Sequence, residues 1–313
     1  MSTIQVQTPG LQTTVQDLGR NGFGPIGVSP SGAADPISLR LGNRLVGNAE
    51  SAAGLEMMLL GGTFVFPEGA TLALTGSDFG ATLDDVRLDV GASVQVRAGQ
   101  TLRLGPTKSG ARCYLCVQGG ISVQPFLGSA STHILSGLGG FEGRALRKGD
   151  VLRIGSASQP FRNRMIAPQA WEHLSRRVVL RLTSGPQVDW FSESSLRSFY
   201  ANTYRVGEQS NRMGLRLEGA AITQRGAAQM VTEGVSFGAV QVPPGGSPII
   251  LFVEQQTTGG YPKIANVIAA DIHRVGQLRP RDEVRFAEVT FDAARSLLME
   301  QEKLLASPEL ILE

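Results

Sequence analysis

Short runs in which apolar and polar residues alternate dominate the chain. From residue 54 to 154 they read LEMMLL, TFVF, TLALTG, VRLDV, SVQVRAG, TLRLG, RCYLCVQGG and DVLRIG. Alternation with a period of two sends one face of a segment to a core and the other outward, so these runs predict strands. Turn residues part them about every ten positions, the spacing of a barrel or sandwich. A second β-rich block follows in VVLRLTSGPQ, TYRVGEQSNRMGLRLEG, AAQMVTEGVSFGAVQVPPGG, SPIILFVEQQ and DEVRFAEVT.

Helical periodicity is confined to a few places. Asp35 is a good N-cap with Pro36 at the first helical position, and Ile37, Leu41 and Leu45 then share one face while Arg40 and Arg44 occupy another. Gly47 or Asn48 ends that helix. Residues 188–202 predict a short helix, 266–278 carry a helical pattern, and 291–305 predict an amphipathic terminal helix. Periodicity is lost in GSASQPFRNRMIAPQAWEHLSRR, which reads as a connection. The expected organisation is a first β unit at 1–155, a linker at 156–177 and a second β unit with its helix at 178–313. The two halves echo each other: SGARCYLCVQGG with GRALRKGDVLRIG, against GGSPIILFVEQQ with GQLRPRDEVRF. Two related domains are the simplest explanation.

Composition narrows the classes of function. A chain of 313 residues buries an ample core without covalent staples. Its 39 glycines follow no three-residue period, so they belong to turns. A net charge of +2 and 6% aromatics give no electrostatic or stacking footprint for nucleic acid. No apolar run approaches the roughly 18 residues of a membrane span, and MSTIQVQTPG lacks the basic head and apolar stretch of a secretory signal. Neither nucleic acid nor membrane is therefore an expected partner, and the cytoplasm is the expected compartment. Cys113 and Cys116, three apart in a strand, should point to opposite faces as buried structural thiols.

Several motifs fail on context. The G-x-S-x-G at 234–238 runs into a strand and turn rather than the helix that a nucleophile elbow needs. The glycines at 137–143 precede β sequence, so no helix N-terminus would meet a phosphate. There is no P-loop, and His133, His173 and His273 are scattered without ligand spacing, so no metal site is expected. His133 reads as structural. No lysine follows a methionine as in a biotin-carrier turn.

Dense polar and glycine-rich clusters remain: PGLQTTVQDLGR, GVSPSGAADPIS, SNRMGLRLEG, GAVQVPPGG and QTTGGYPK. With RLGNRLVGN, YLCVQGGI and LGSAST, they resemble the KipA family, also described as allophanate hydrolase subunit 2 or biotin-dependent carboxyltransferase. The resemblance extends from about residue 4 to 289. It implies a mainly β fold of two cyclophilin-like β-barrel units with a few short helices. It also implies two partner chains, one KipI-like and one LamB/YcsF-like, and ATP-dependent opening of 5-oxo-L-proline to L-glutamate, with ATP and Mg²⁺ used by the complex. Two alternatives accompany it: the carboxyltransferase component of a urea or amide carboxylase, with biotin on a separate carrier, and a non-enzymatic antagonist of a KipI-like kinase inhibitor. The sequence departs from the family at Asn211, where Asp is usual, and at Glu254-Gln255, where Asp-Arg is frequent.

The chemistry implied by the resemblance is activation of a small amide or lactam, which needs a rigidly held amide and a stabilised anion. Gln241 and Gln256 both donate and accept, as amide recognition requires. Gly259 and Gly260 allow close backbone approach, and Tyr261 supplies a wall. Arg212 reads as an anion clamp or as the ion-pair partner of Glu218 or another acid. Glu254 is the candidate base and Lys263 the candidate cation. Asp35 is first of all a helix cap. Asp17, Arg20 and Ser31 either fix the N-terminal loop or face a partner chain.

Overall fold

The alternating TIQVQT becomes strand Thr3–Thr8, which pairs antiparallel with Val151–Ile154 on one side and Thr63–Phe66 on the other. The computed structural model describes residues 2–157, 159–169, 179–226 and 230–313. Two compact units emerge, one from Met1–Arg20, Ser31–Leu174 and Pro308–Glu313, the other from Asn21–Pro30 and Ser175–Ser307.

In the first unit Thr3–Thr8 lies inside a seven-stranded sheet, and a five-stranded sheet runs in the order Gln12–Gln16, Gly54–Met58, Arg112–Val117, Ala70–Gly76, Ser93–Val96. Ile4, Val6, Phe64, Phe66, Leu102 and Leu152 from the larger sheet meet Val15, Leu55, Met57, Leu74, Cys113 and Leu115 from the smaller in one core. The alternate residues of the smaller sheet, Thr14, Glu56, Tyr114 and Cys116, are also buried. Helix Pro36–Leu45 packs on that side, with Asp35 Oδ1 accepting from Ser38 N at 3.0 Å as the sequence predicts. Gly42 lets it approach closely: a Cβ there would lie 2.7 Å from Cys116 Sγ and 2.8 Å from Thr75 Oγ1. Cys113 and Cys116 are free, buried and on opposite faces, and burial pushes both thiols well above their ordinary range.

In the second unit seven strands close a barrel: Val179–Ser184, Lys263–Val267, Ala239–Gln241, Ile249–Leu251, Gly214–Glu218, Tyr204–Val206 and Glu283–Glu288. The last pairs parallel with the first, closing the ring. Helix Glu193–Ala201 stacks Phe199 on Phe286 with ring centroids 4.7 Å apart. The terminal helix spans Phe291–Ala306 behind the Thr290 cap. The chain is thus mainly β, as expected, with few helices, and no helix among the described residues is long and apolar enough to cross a membrane.

Two local expectations shift. The helical pattern at 266–278 yields the end of strand Lys263–Val267, a 3₁₀ turn at Ala269–Asp271 and a helix of only Ile272–Val275. Pairing of Lys263–Val267 on both sides within the barrel overrides the local pattern there. Part of the stretch 156–177 is also built into the first unit, because Met165–Ile166 pairs with Ile311–Leu312 and Arg164 N donates to Ser93 Oγ at 2.8 Å. Residues 170–178, which take in the end of that stretch and His173, lie outside the described residues.

Candidate functional site

Three adjacent barrel strands set the floor of the site. Arg216 is paired with Ile249, and Ile249 with Gln241, so the three form one cross-strand row; Gly214 and Leu251 form the next row on the same face. The intervening Leu215, Leu217, Val240 and Ile250 are buried. A cleft of about 150 Å³ opens over these rows, walled by Asn211, Met213, Gln256 and Tyr261.

The wall is the segment that follows strand Ile249–Leu251. Phe252 N donates to Met213 O and Glu254 N to Arg212 O, both at 2.9 Å, which continues the ladder past the strand end. Arg212 Nε donates to Glu254 Oε1 at 2.5 Å, and both side chains are buried. The residues read separately as anion clamp and base are therefore each other's partner. Gln255, with its amide oriented to satisfy both ends, donates to Phe252 O at 3.2 Å and accepts from Phe237 N at 3.0 Å. Beyond this pinned turn Gln256 Nε2 donates to Gln241 Oε1 at 3.2 Å, and Gln241 Nε2 reaches Tyr261 O at 3.4 Å. Two carboxamides and a backbone carbonyl thus form a chain across the cleft. Gly259 makes room for it, since a Cβ there would stand 2.6 Å from Gln241 Nε2.

Lys263 sits at the start of its strand, buried, with its ammonium on Glu233 Oε1. Gln187 joins the two, donating to Glu233 Oε1 at 3.0 Å and accepting from Lys263 N at 3.1 Å. The Lys263 hydrogen bond holds the Glu233 carboxyl below its ordinary range. Glu233 itself pairs with Gly259 in a two-residue ladder, so this charge pair fastens the glycine turn to the barrel.

Of the residues read from the sequence, Gln241, Gln256 and Tyr261 line the cleft, whereas Arg212, Glu254, Lys263, Gly259 and Gly260 stand behind or beside it. Asp17, Arg20, Ser31 and Asp35 belong to the first unit, where they brace a buried polar layer. Asp17 accepts from Gly19 N at 2.8 Å, Ser129 Oγ at 2.6 Å, Ala130 N at 2.6 Å and Ser131 Oγ at 2.5 Å. Arg20 donates to Ser131 O and lies over the Phe126 ring, 5.5 Å from its centroid. Ser31, in the left-handed region at φ 55°, donates to Thr132 O at 2.6 Å. Asp35 N donates to the Tyr114 hydroxyl, which donates to Glu56 Oε2, both at 2.7 Å. Burial raises the Tyr114 phenol well above its ordinary value.

Sequence reasoning missed Arg216 in the cleft and Glu233 and Gln187 beside it. Arg216 looks like the ordinary polar position of an alternating strand; only its row with Gln241 distinguishes it. Among the described residues no group of His, Cys, Asp and Glu is placed to hold a metal ion.

Comparison with known proteins fits this architecture. Residues 26–288 match the family described as carboxyltransferase domain, subdomain A and B. The chain is 38% identical over 300 residues to the 5-oxoprolinase C-subunit of Escherichia coli K12, covering 96% of each chain. It is 38% identical over 291 residues to the 5-oxoprolinase C-subunit of Haemophilus influenzae, covering 93% of each. The crystal structure of Kluyveromyces lactis urea carboxylase superposes with a TM-score of 0.91 at 32% identity, over 99% of this chain and 30% of that one.

Proposed function

Because the chain belongs to the family of carboxyltransferase domains with subdomains A and B, we propose that it acts as the C-subunit of an ATP-dependent 5-oxoprolinase. In this reading it works in the cytoplasm with two partner chains, one KipI-like and one LamB/YcsF-like, to convert 5-oxo-L-proline to L-glutamate. The observation that carries the reading is the 38% identity to a protein of that name across 96% of both chains. The cleft supports it, because a lactam offers one N–H and one carbonyl oxygen in a fixed cis arrangement. Gln256 Oε1 accepts from the lactam N–H, and the carboxamide N–H not used on Gln241 donates to the lactam oxygen.

Bound in the assembly, ATP with Mg²⁺ would supply a phosphoryl group that activates the lactam carbonyl toward water, so that the C–N bond breaks with the ring nitrogen leaving as the α-amine of glutamate and a second water releases phosphate. The described residues offer no acidic or histidine cluster for the metal, so no step is assigned to this chain through it. The chain's own part is to orient the ring and polarise its amide. Glu254 and Lys263 serve that end as positioning residues: the Arg212–Glu254 pair fixes the turn that presents Gln256, and the Lys263–Glu233 pair fixes Gly259 against Gln241.

Reconstitution tests the proposal. Mixing the chain with its KipI-like and LamB/YcsF-like partners should give 5-oxoproline-dependent ATP hydrolysis and glutamate, with no activity when any one chain is omitted. A complete set that binds 5-oxoproline yet never yields glutamate would defeat it. The superposition on urea carboxylase favours a second reading, a carboxyltransferase that receives its carboxyl group from a separate biotin carrier. Incorporation of labelled bicarbonate into an amide, blocked by avidin, would establish that reading instead.

A further inference from the structure

The cleft holds a feature that amide recognition does not call for. Arg216 lines it at the opposite end of the cross-strand row from Gln241, with Ile249 between them. Two strand spacings separate Arg216 from Gln241, about 10 Å between backbones. The Arg216 backbone is held on both sides: its N–H donates to Ser210 Oγ at 3.1 Å and its carbonyl accepts from Gly207 N at 2.8 Å. Its side chain is exposed and, among the described residues, has no carboxylate partner. By contrast Arg212, Arg181 and Arg144 each sit on an acid. Among the described residues, no acidic side chain lines the cleft. The surface thus offers a guanidinium fork at one end, carboxamides at the other, and the apolar Ile249 and Leu251 as floor.

We infer that Arg216 is the carboxylate anchor of this site and that it selects small amides bearing a carboxylate one or two bonds from the amide over neutral ones such as urea or a simple lactam. The inference rests on the 5-oxoprolinase reading and adds the residue that sets its specificity. A cleft of about 150 Å³ is well below the volume of drug-sized pockets, which restricts the ligand to a compact metabolite. The guanidinium meets the carboxylate through two parallel N–H···O bonds, and the ring then lies across Ile249 with its amide against Gln256. Urea would satisfy the carboxamides but leave the guanidinium without an anion.

The test uses the assembled three-chain enzyme with wild-type chain, Arg216→Gln and Arg216→Lys. The probes are 5-oxo-L-proline as substrate and its carboxamide as competitive inhibitor. Arg216→Gln should raise KM for the acid roughly 10- to 100-fold, the range for loss of a charge-assisted bidentate contact, while kcat changes far less. The carboxamide should inhibit the variant about as well as it inhibits wild type, which closes the gap between acid and amide. Arg216→Lys should fall between, keeping charge but not the fork. An unchanged KM for the acid in Arg216→Gln, or equal weakening of acid and carboxamide, would overturn the assignment while leaving the 5-oxoprolinase reading intact. A wild-type assembly that does not turn over 5-oxoproline would remove both.

Discussion

Gln241 and Gly259 stand so close that each constrains the other. Adding one methyl at Gly259 would press on the Gln241 amide from 2.6 Å and on Val235 Cγ1 from 3.1 Å. The backbone there is not left-handed, so Gly259→Ala should fold normally and act by turning the Gln241 amide aside. Losing one neutral hydrogen bond is worth about 1 kcal/mol. We therefore expect a several-fold rise in KM for the lactam with little change in Tm, read from steady-state kinetics and thermal melting. The two thiols give a second prediction at this scale. Cys113 and Cys116 are fully buried with raised pKa values, so a thiol reagent at neutral pH should label neither until the protein unfolds. Rapid labelling of the native chain would mean that the sheet opens locally. What the sequence made legible here was local chemistry: Asp35 caps the residue three places on, and alternation separates the thiols. Arg216 and Glu233 were not legible, because their partners are set by cross-strand register and a two-residue ladder.

At the scale of elements, the segment after strand Ile249–Leu251 owes its shape to a buried ion pair. Removing one partner leaves an uncompensated buried charge, which costs about 3–5 kcal/mol. Glu254→Gln or Arg212→Met should therefore lower stability by that amount in chemical denaturation. The double variant Arg212→Met/Glu254→Leu should recover most of the loss while remaining weak in substrate binding, because the pinned turn presents Gln256. Additive losses in the double variant would contradict the pairing. A second element responds to pH. Arg144 hydrogen bonds hold Asp150 below its ordinary value of 3.8, and Arg147 N adds another at 2.7 Å. With the folded pKa depressed, the unfolded state binds the extra proton, so this stabilisation is present above pH ~4 and lost as pH falls through the lowered pKa. Asp150→Asn should flatten the acid limb of the stability profile and leave its alkaline side alone. Long periodic elements were readable, as the terminal helix Phe291–Ala306 illustrates. The stretch 266–278 was not, since a short apolar run fits strand and helix equally and only its barrel neighbours decide.

For the whole molecule, the sequence displayed a mainly β chain in two parts but not how either part closes. The barrel of the second unit shuts through a parallel pairing of Val179–Ser184 with Glu283–Glu288, strands about a hundred residues apart that no local pattern links. The chain order also crosses between its units: residues 21–30 group with the second and the last six residues with the first, where Ile311–Leu312 pairs with Met165–Ile166. In the proposed function, activity at this scale belongs to an assembly, in which this chain would orient a lactam acid and partner chains would handle the nucleotide. The most direct measurement is glutamate formation from 5-oxo-L-proline by the three purified chains with ATP, compared with each pairwise mixture. The account predicts glutamate and ADP in equal amounts from the complete mixture alone. Glutamate from a mixture lacking this chain, or bicarbonate-dependent and avidin-sensitive turnover in its place, would contradict it.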